Sequence, residues 1–269
     1  MTRVMVCTDS SALLPREVAD RKDVIVVPIS IALDGVAYED ELDAIDDFYA
    51  RLAAGAQATT SQPSPGRLLD AYRAAAATGA DEVLSIHLDE RASGTLRSAQ
   101  LAARDAPIPV TVVDTTTVSY GVGVCVRAAA EALSAGASAG EAAARARAIG
   151  ASLENVFVAR SGPGGRVPAS GGWTLLSFVD GSTVAGTACA GPERAVEAMT
   201  GRVADGGGPY RAAVGHAAAS SEAAADALAG ALQALPNVEA VERYRVGPAV
   251  GAHTGGDSFG AFWWPGTTL

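Results

Sequence analysis

The chain is poor in the residues that most often carry metal and redox chemistry. Its 269 residues include three cysteines, at 7, 125 and 189, and three histidines, at 87, 216 and 253. An odd cysteine count without CxxC spacing, each thiol in an apolar context, predicts buried free thiols rather than a disulfide framework. The scattered histidines match no zinc-ligand spacing, so no metal site is expected. No segment approaches 18 uninterrupted apolar residues, which excludes a transmembrane helix and stable membrane insertion. The opening run Val4-Met5-Val6-Cys7 is too short for a signal peptide, so a cytoplasmic protein is expected. Basic residues are also in deficit, 20 against 30 acidic ones, for a formal charge of −10. That field repels phosphates, and nucleic acid is not an expected partner.

Several catalytic signatures are missing as well: the chain has no Walker P-loop, no H-E-x-x-H and no strand-linked G-x-G-x-x-G. What is present is an ordinary globular composition, 49% hydrophobic and 19% charged, in a chain long enough for two domains. Val4–Cys7 reads as a buried strand ending in a turn or cap at Thr8-Asp9-Ser10-Ser11, and Val24–Ile31 as a second strand stopped by Asp34-Gly35. Helical spacing of Ile45, Phe48, Tyr49 and Leu52, a Pro-initiated helix from Pro63-Ser64-Pro65, the strand 82–88, a helix opening at Ser93-Gly94-Thr95, the strand Val110–Asp114 and a helix from Tyr120 to Ala135 follow in alternation.

That alternation predicts an α/β fold with a mainly parallel sheet flanked by helices. The rhythm breaks in the Gly-rich stretch 161–172, so the chain divides into an N-terminal α/β domain, 1–155, and a C-terminal one, 156–269. Strands are expected at Thr174–Val179, Arg211–His216 and Val238–Val246, with helices at Glu193–Val203 and Ser221–Leu235. The alanine-rich stretches 127–149 and 217–234 read as helices in their own right, since alanine is the best helix former.

In open α/β sheets, ligands bind beyond the carboxyl ends of the strands. Three stretches there carry polar groups. Thr59-Thr60-Ser61-Gln62-Pro63 puts hydroxyls and an amide before a helix. Ser93-Gly94-Thr95 puts small hydroxyl residues at a helix N-terminus, a setting suited to a carboxylate or phosphate or simply to an N-cap. Val250–Gly256 reads as a strand end entering a Gly-rich turn with His253 and Thr254 at its centre. Arg166, in Gly164-Gly165-Arg166, is a guanidinium able to pair with a carboxylate or a plain surface charge. A hydrolase reading makes Ser93 a nucleophile and His253 its base, with Asp9 or Asp114 as orienting acid.

Taken in order, Thr8-Asp9-Ser10, Thr60-Ser61-Gln62-Pro63, Ser93-Gly94-Thr95, Asp114, Gly164-Gly165-Arg166 and His253-Thr254-Gly255 resemble the DegV family, over residues 3 to about 262 and with Asp40, Phe48-Tyr49, Ser98-Ala99 and the Gly121/Gly123 pair between them. The resemblance implies two α/β domains enclosing one long-chain fatty acid, with the acyl chain in an apolar tunnel and the carboxylate near the domain interface. It implies no cofactor and no chemistry of the chain's own. It also implies a partner, the kinase subunit of a fatty acid kinase, which phosphorylates the acid. By motif position the ligand-binding residues are Thr60, Ser61, Ser93, Gly94, Thr95, Arg166, His253 and Thr254. The chain departs from the family pattern at His87-Leu88-Asp89-Glu90-Arg91-Ala92, at Leu96, at Ser161-Gly162-Pro163 and at Gly256-Asp257. Beside lipid binding stand the hydrolase and a lipid-free sensor or interaction module of the same fold.

Overall fold

The computed structural model describes residues 2–38, 45–159 and 173–266. In chain order the elements begin with β1 (Val4–Asp9), a 3-10 turn (Ser10–Ala12), α1 (Arg16–Ala19), β2 (Val24–Val27), β3 (Ser30–Leu33), β4 (Val36–Tyr38), α2 (Ile45–Ala53) and β5 (Ala58–Ser61). Then come α3 (Pro65–Ala77), β6 (Glu82–His87), α4 (Thr95–Ala103), β7 (Val110–Asp114), α5 (Tyr120–Ser134), α6 (Ala139–Ser152) and β8 (Glu154–Val158). The remainder is β9 (Trp173–Val179), β10 (Ser182–Cys189), α7 (Pro192–Ala204), β11 (Tyr210–His216), a 3-10 turn (Ala219–Ser221), α8 (Glu222–Gln233), β12 (Val238–Arg245), α9 (Pro248–Thr254) and β13 (Phe259–Pro265).

These elements form two units that interleave along the chain. One comprises Met1–Ser30 and Ser61–Ser152, the other Ile31–Thr60 and Leu153–Leu269. The sequence reading drew one division after residue 155; the packing crosses after residues 30, 60 and 152.

The first unit holds a four-stranded, all-parallel sheet in the order β2-β1-β6-β7. Period-2 alternation sends Met5 and Cys7 of β1 and Val83 of β6 to one face, where Leu68, Tyr72 and Ala75 of α3 and Ala99 and Ala102 of α4 cover them. Val6, Leu84 and Ile86, also fully buried, occupy the other face, on the side where α5 and α6 pack together. Gly123 brings α5 close to β1's turn: a Cβ there would run into the Ala12 carbonyl oxygen, so no larger residue fits without moving backbone.

Two helix and strand boundaries differ from the sequence reading. Val24–Ile31 is not one strand. It splits at Pro28, which has no N–H for a ladder, so that β2 joins the parallel sheet and β3 pairs with β4. The Asp34-Gly35 turn closes that hairpin with φ of 50° and 79°, the left-handed pair that a tight two-residue turn requires. The alanine-rich stretch 127–149 is not one helix either. It is the end of α5 and most of α6, broken at Gly136, whose φ is 94°.

The second unit is built on a mixed six-stranded sheet, β10-β9-β8-β13-β11-β12, in which only β11 and β12 run parallel. Val156, Val158, Ala212, Val214, Phe259, Ala261 and Trp263 bury one face against α7 and α8. The expected strands and helices at 174–179, 211–216, 238–246, 193–203 and 221–235 are all there within a few residues. A smaller sheet, β4-β3-β5, completes the described strands.

Candidate functional site

Strand order fixes where the first unit can bind a ligand. The chain leaves β1 for β2 on one side and leaves β6 for β7 on the other, so β1 and β6 flank the point where the order reverses. Two turns stand at their carboxyl ends. After β1, Asp9 caps the 3-10 turn through the Ser11 N–H at 3.1 Å, and Ser10 Oγ accepts from the Ile29 N–H at 3.0 Å. After β6, the loop 88–94 leads into Ser93-Gly94-Thr95 at the start of α4.

In that second turn Gly94 is the N-cap and no side chain caps the helix. Ser93 Oγ accepts from the Thr95 N–H at 3.3 Å and shares a hydrogen bond with Thr95 Oγ1 at 2.9 Å. The first amides of α4 therefore sit beside two hydroxyls, an arrangement that favours an oxyanion. Gly94 is required for close approach: a Cβ there would lie 2.6 Å from Nε2 of Gln62, from the Thr60–Pro63 motif. Ser61 itself is exposed at the end of β5. Ala58–Ser61, expected only as a polar run before a helix, is a strand whose open, alternating exposure leaves no apolar signal.

The loop 88–94 is held by its own ion pair. Asp89 accepts from the Arg91 backbone N–H at 2.7 Å, from Nε at 3.0 Å and from Nη2 at 2.7 Å. Burial acts to raise the Asp89 carboxyl, but the Arg91 bonds and charge outweigh it and hold it below the usual range. The Asp89 N–H reaches Thr117 O and the Ser93 N–H reaches Asp89 O, so the clasp fixes the approach to the hydroxyl turn. Around β7's end, Thr116 (φ 55°) and Ser119 (φ 54°) take left-handed backbone, a strain typical of functional turns.

Beneath these turns lies a polar chain that the sequence reading missed. Asp9 Oδ2 meets His87 Nδ1, His87 Nε2 meets Ser85 Oγ, and Ser85 Oγ meets Tyr72 OH, each at 2.8 Å. All four residues are fully buried. The signal was available: Ser85 and His87 are polar at i and i+2 of an otherwise apolar strand, which puts both on one buried face. Burial, with Cys7 beside it, raises the Tyr72 phenol, and either hydroxyl of the Tyr72–Ser85 pair can be the donor. Burial also pushes the neighbouring Cys7 thiol up to about 12.

In the second unit, Thr60 and His253 meet. Thr60 Oγ1 lies 2.9 Å from His253 Nε2, bringing together residues 193 apart in the chain. The turn expected at 250–256 is in fact the helix α9, started by Pro248 at its first turn and ended by Gly255 with φ 78°. The apolar Val250 and the glycines hid it. His253 occupies its last turn, and Thr254 Oγ1 bonds back to Val250 O at 3.4 Å and accepts from Ser258 Oγ at 3.0 Å. Tyr49 of α2 donates to Val246 O at 2.8 Å, and Gly251 leaves room for its ring. Arg245 Nη2 bonds Asp46 Oδ1 at 2.9 Å, so α2 is tied to the base of α9 twice.

Arg166, the glycines beside it, Asp40 and Ser161-Gly162-Pro163 lie outside the described residues. Ser93's hydrogen bonds run to Thr95, and the bond described at His253 Nε2 runs to Thr60. Among the described residues no group of three or more His, Cys, Asp or Glu could hold a metal, and no helix is long and apolar enough to cross a membrane.

Comparison with known proteins agrees with this architecture. Residues 3–168 match the model of the DegV family, described as uncharacterised proteins. A DegV domain-containing protein of Mycobacterium bovis, Mb2440c, is 33% identical over 276 residues, covering 96% of this chain and 95% of its own length. For SCO2569 of Streptomyces coelicolor, another DegV domain-containing protein, the match is 39% over 113 residues and spans only 40% of that protein's length and 42% of this chain. Among solved structures, a fatty-acid-binding DegV family protein from Thermus thermophilus is 31% identical with a TM-score of 0.87, covering 98% of this chain and all of its own. TM841 from Thermotoga maritima, described as having a fatty acid binding function, is 27% identical with a TM-score of 0.88 over 98% of this chain and 100% of its own. The chain belongs to the DegV family.

Proposed function

We propose that this protein binds a long-chain fatty acid, holding the acyl chain in an apolar tunnel and the carboxylate through hydroxyl donors, and presents the acid to a separate fatty acid kinase subunit. Likeness over 98% of the chain to two DegV proteins described as fatty acid binders carries the reading. The turn chemistry supports it: α4 starts uncapped beside Ser93 and Thr95, and Thr60 stands against an imidazole.

The energetics are favourable. At roughly 0.8 kcal/mol per buried methylene, a chain of about 14 contributes on the order of 11 kcal/mol before ordering and desolvation are subtracted. The carboxylate needs only a few local donors to offset its lost hydration, so a net charge of −10 is no obstacle.

Native mass spectrometry of the purified protein tests this directly. The expected result is a mass excess of one long-chain fatty acid, released on denaturing extraction. A protein that is empty and fails to take up added fatty acid overturns it. The kinase step is tested by adding a fatty acid kinase subunit and ATP and looking for acyl phosphate.

A further inference from the structure

The buried chain from Tyr72 to Asp9 has a hydrogen arrangement that satisfies all four members. Asp9 as a carboxylate only accepts, and it already receives the Ser11 N–H and hydroxyl on Oδ1. With the Nδ1–H tautomer, His87 donates to Oδ2 and its Nε2 accepts from Ser85. Ser85 Oγ in turn accepts from Tyr72, whose raised phenol keeps its proton. The order is then Tyr72 to Ser85 to His87 to Asp9.

Two of its members, Asp9 and His87, stand where β1 and β6 enter the two polar turns of the first unit. Asp9 closes the turn after β1. His87 is the last residue of β6, and its carbonyl receives both the backbone N–H and the hydroxyl of Thr115, at 3.1 and 2.9 Å. Tyr72 sits on α3, whose lead-in carries Gln62, and Gln62 rests against Gly94. One line of side chains therefore connects β1, β6, whose end feeds the loop to Ser93, and α3, which follows Gln62. Four fully buried polar groups inside an apolar sheet face are costly unless all are paired, so the chain is rigid or the local fold fails.

We propose that His87 is a positioning residue: through Asp9, Ser85 and Tyr72 it holds the Ser93-Gly94-Thr95 turn in the geometry that receives a carboxylate. This rests on the fatty-acid reading of that turn. His87 does not touch the ligand, and its effect falls on the headgroup rather than on the acyl chain.

Tyr72→Phe and Ser85→Ala remove hydrogen-bonding groups while keeping most of the buried volume. Their binding of cis-parinaric acid and of its methyl ester is compared by fluorescence. The expected result is roughly tenfold weaker binding of the acid, the loss of about one buried hydrogen bond, with the ester unchanged. Equal losses for acid and ester mark a merely structural role and overturn the proposal, as does no loss for either. Amide hydrogen exchange without ligand separates this from failure of the lipid reading. Both variants should exchange Asp89 and Ser93 amides about tenfold faster than the parent, with α8 amides unaffected. Unchanged protection at Asp89 and Ser93 overturns the positioning role even if the parent binds no lipid.

Discussion

Thr60 Oγ1 and His253 Nε2 are hydrogen-bonded at 2.9 Å although 193 residues separate them. The contact is made at the surface, between a strand of the small sheet and the last turn of α9. A surface hydroxyl contributes little to the core, so Thr60→Val should leave the urea midpoint within about 0.5 kcal/mol of the parent. It should weaken fatty acid binding by about 1 kcal/mol, roughly fivefold, measured by parinarate titration. A clear stability loss with unchanged lipid content would make Thr60 a structural cap instead.

Two glycines make opposite predictions. At Gly94 an added methyl meets the movable end of Gln62, so Gly94→Ala should weaken ligand binding and cost less than about 1 kcal/mol of stability. At Gly123 it meets the Ala12 backbone, which cannot swing away. Gly123→Ala should cost about 1–3 kcal/mol or more, read as a lower urea midpoint with an unchanged slope.

The Asp89–Arg91 clasp sets an acid limit. Because the folded carboxyl is held below its unfolded value, the pair's contribution is present above about pH 4 and is lost as pH falls through the lower folded value. Arg91→Gln should lower stability above about pH 4, including near pH 7, and converge with the parent at the acid end, so the step between about pH 2 and 5 disappears. An unaltered acid limb would show that the clasp contributes nothing to folding.

Thiol reactivity should be confined to Cys189. Burial raises Cys7 to about 12 and raises Cys125 further, and both are fully buried, whereas Cys189 is half-buried and raised only modestly. A disulfide-exchange reagent at neutral pH should titrate one thiol in the folded protein and three in denaturant.

Much of the first unit was legible because its strands are apolar runs closed by turn residues: β1 ends at a capping aspartate, and α3 is started by Ser64 and Pro65. The break at Pro28 was also written in the chain but is hidden by the apolar residues on both sides, whereas the end of the helix from Tyr120 beside Gly136 was legible. β10 gave no signal, since seven of its eight residues are exposed and none is charged. At the site, Ser93-Gly94-Thr95 could be read from its own residues. The pairing of Thr60 with His253, and of Asp9 with His87 across 78 residues, could not, because only tertiary register creates it.

The interleaving of the two units has a consequence for synthesis. Residues 31–60 belong with Leu153–Leu269, and their ties to Val246, Arg245 and His253 lie 193 to 199 residues downstream. At about 5–20 residues per second, that hairpin and helix wait on the order of 10–40 s on the ribosome before their anchors exist. During that interval residues 31–60, whose apolar side chains Ile31, Leu33, Phe48 and Tyr49 are buried in the finished protein, lack the anchors supplied by Arg245, Val246 and His253. Slower elongation through the second half lengthens that interval, and chaperone contact should concentrate on this early segment rather than on the late sheet.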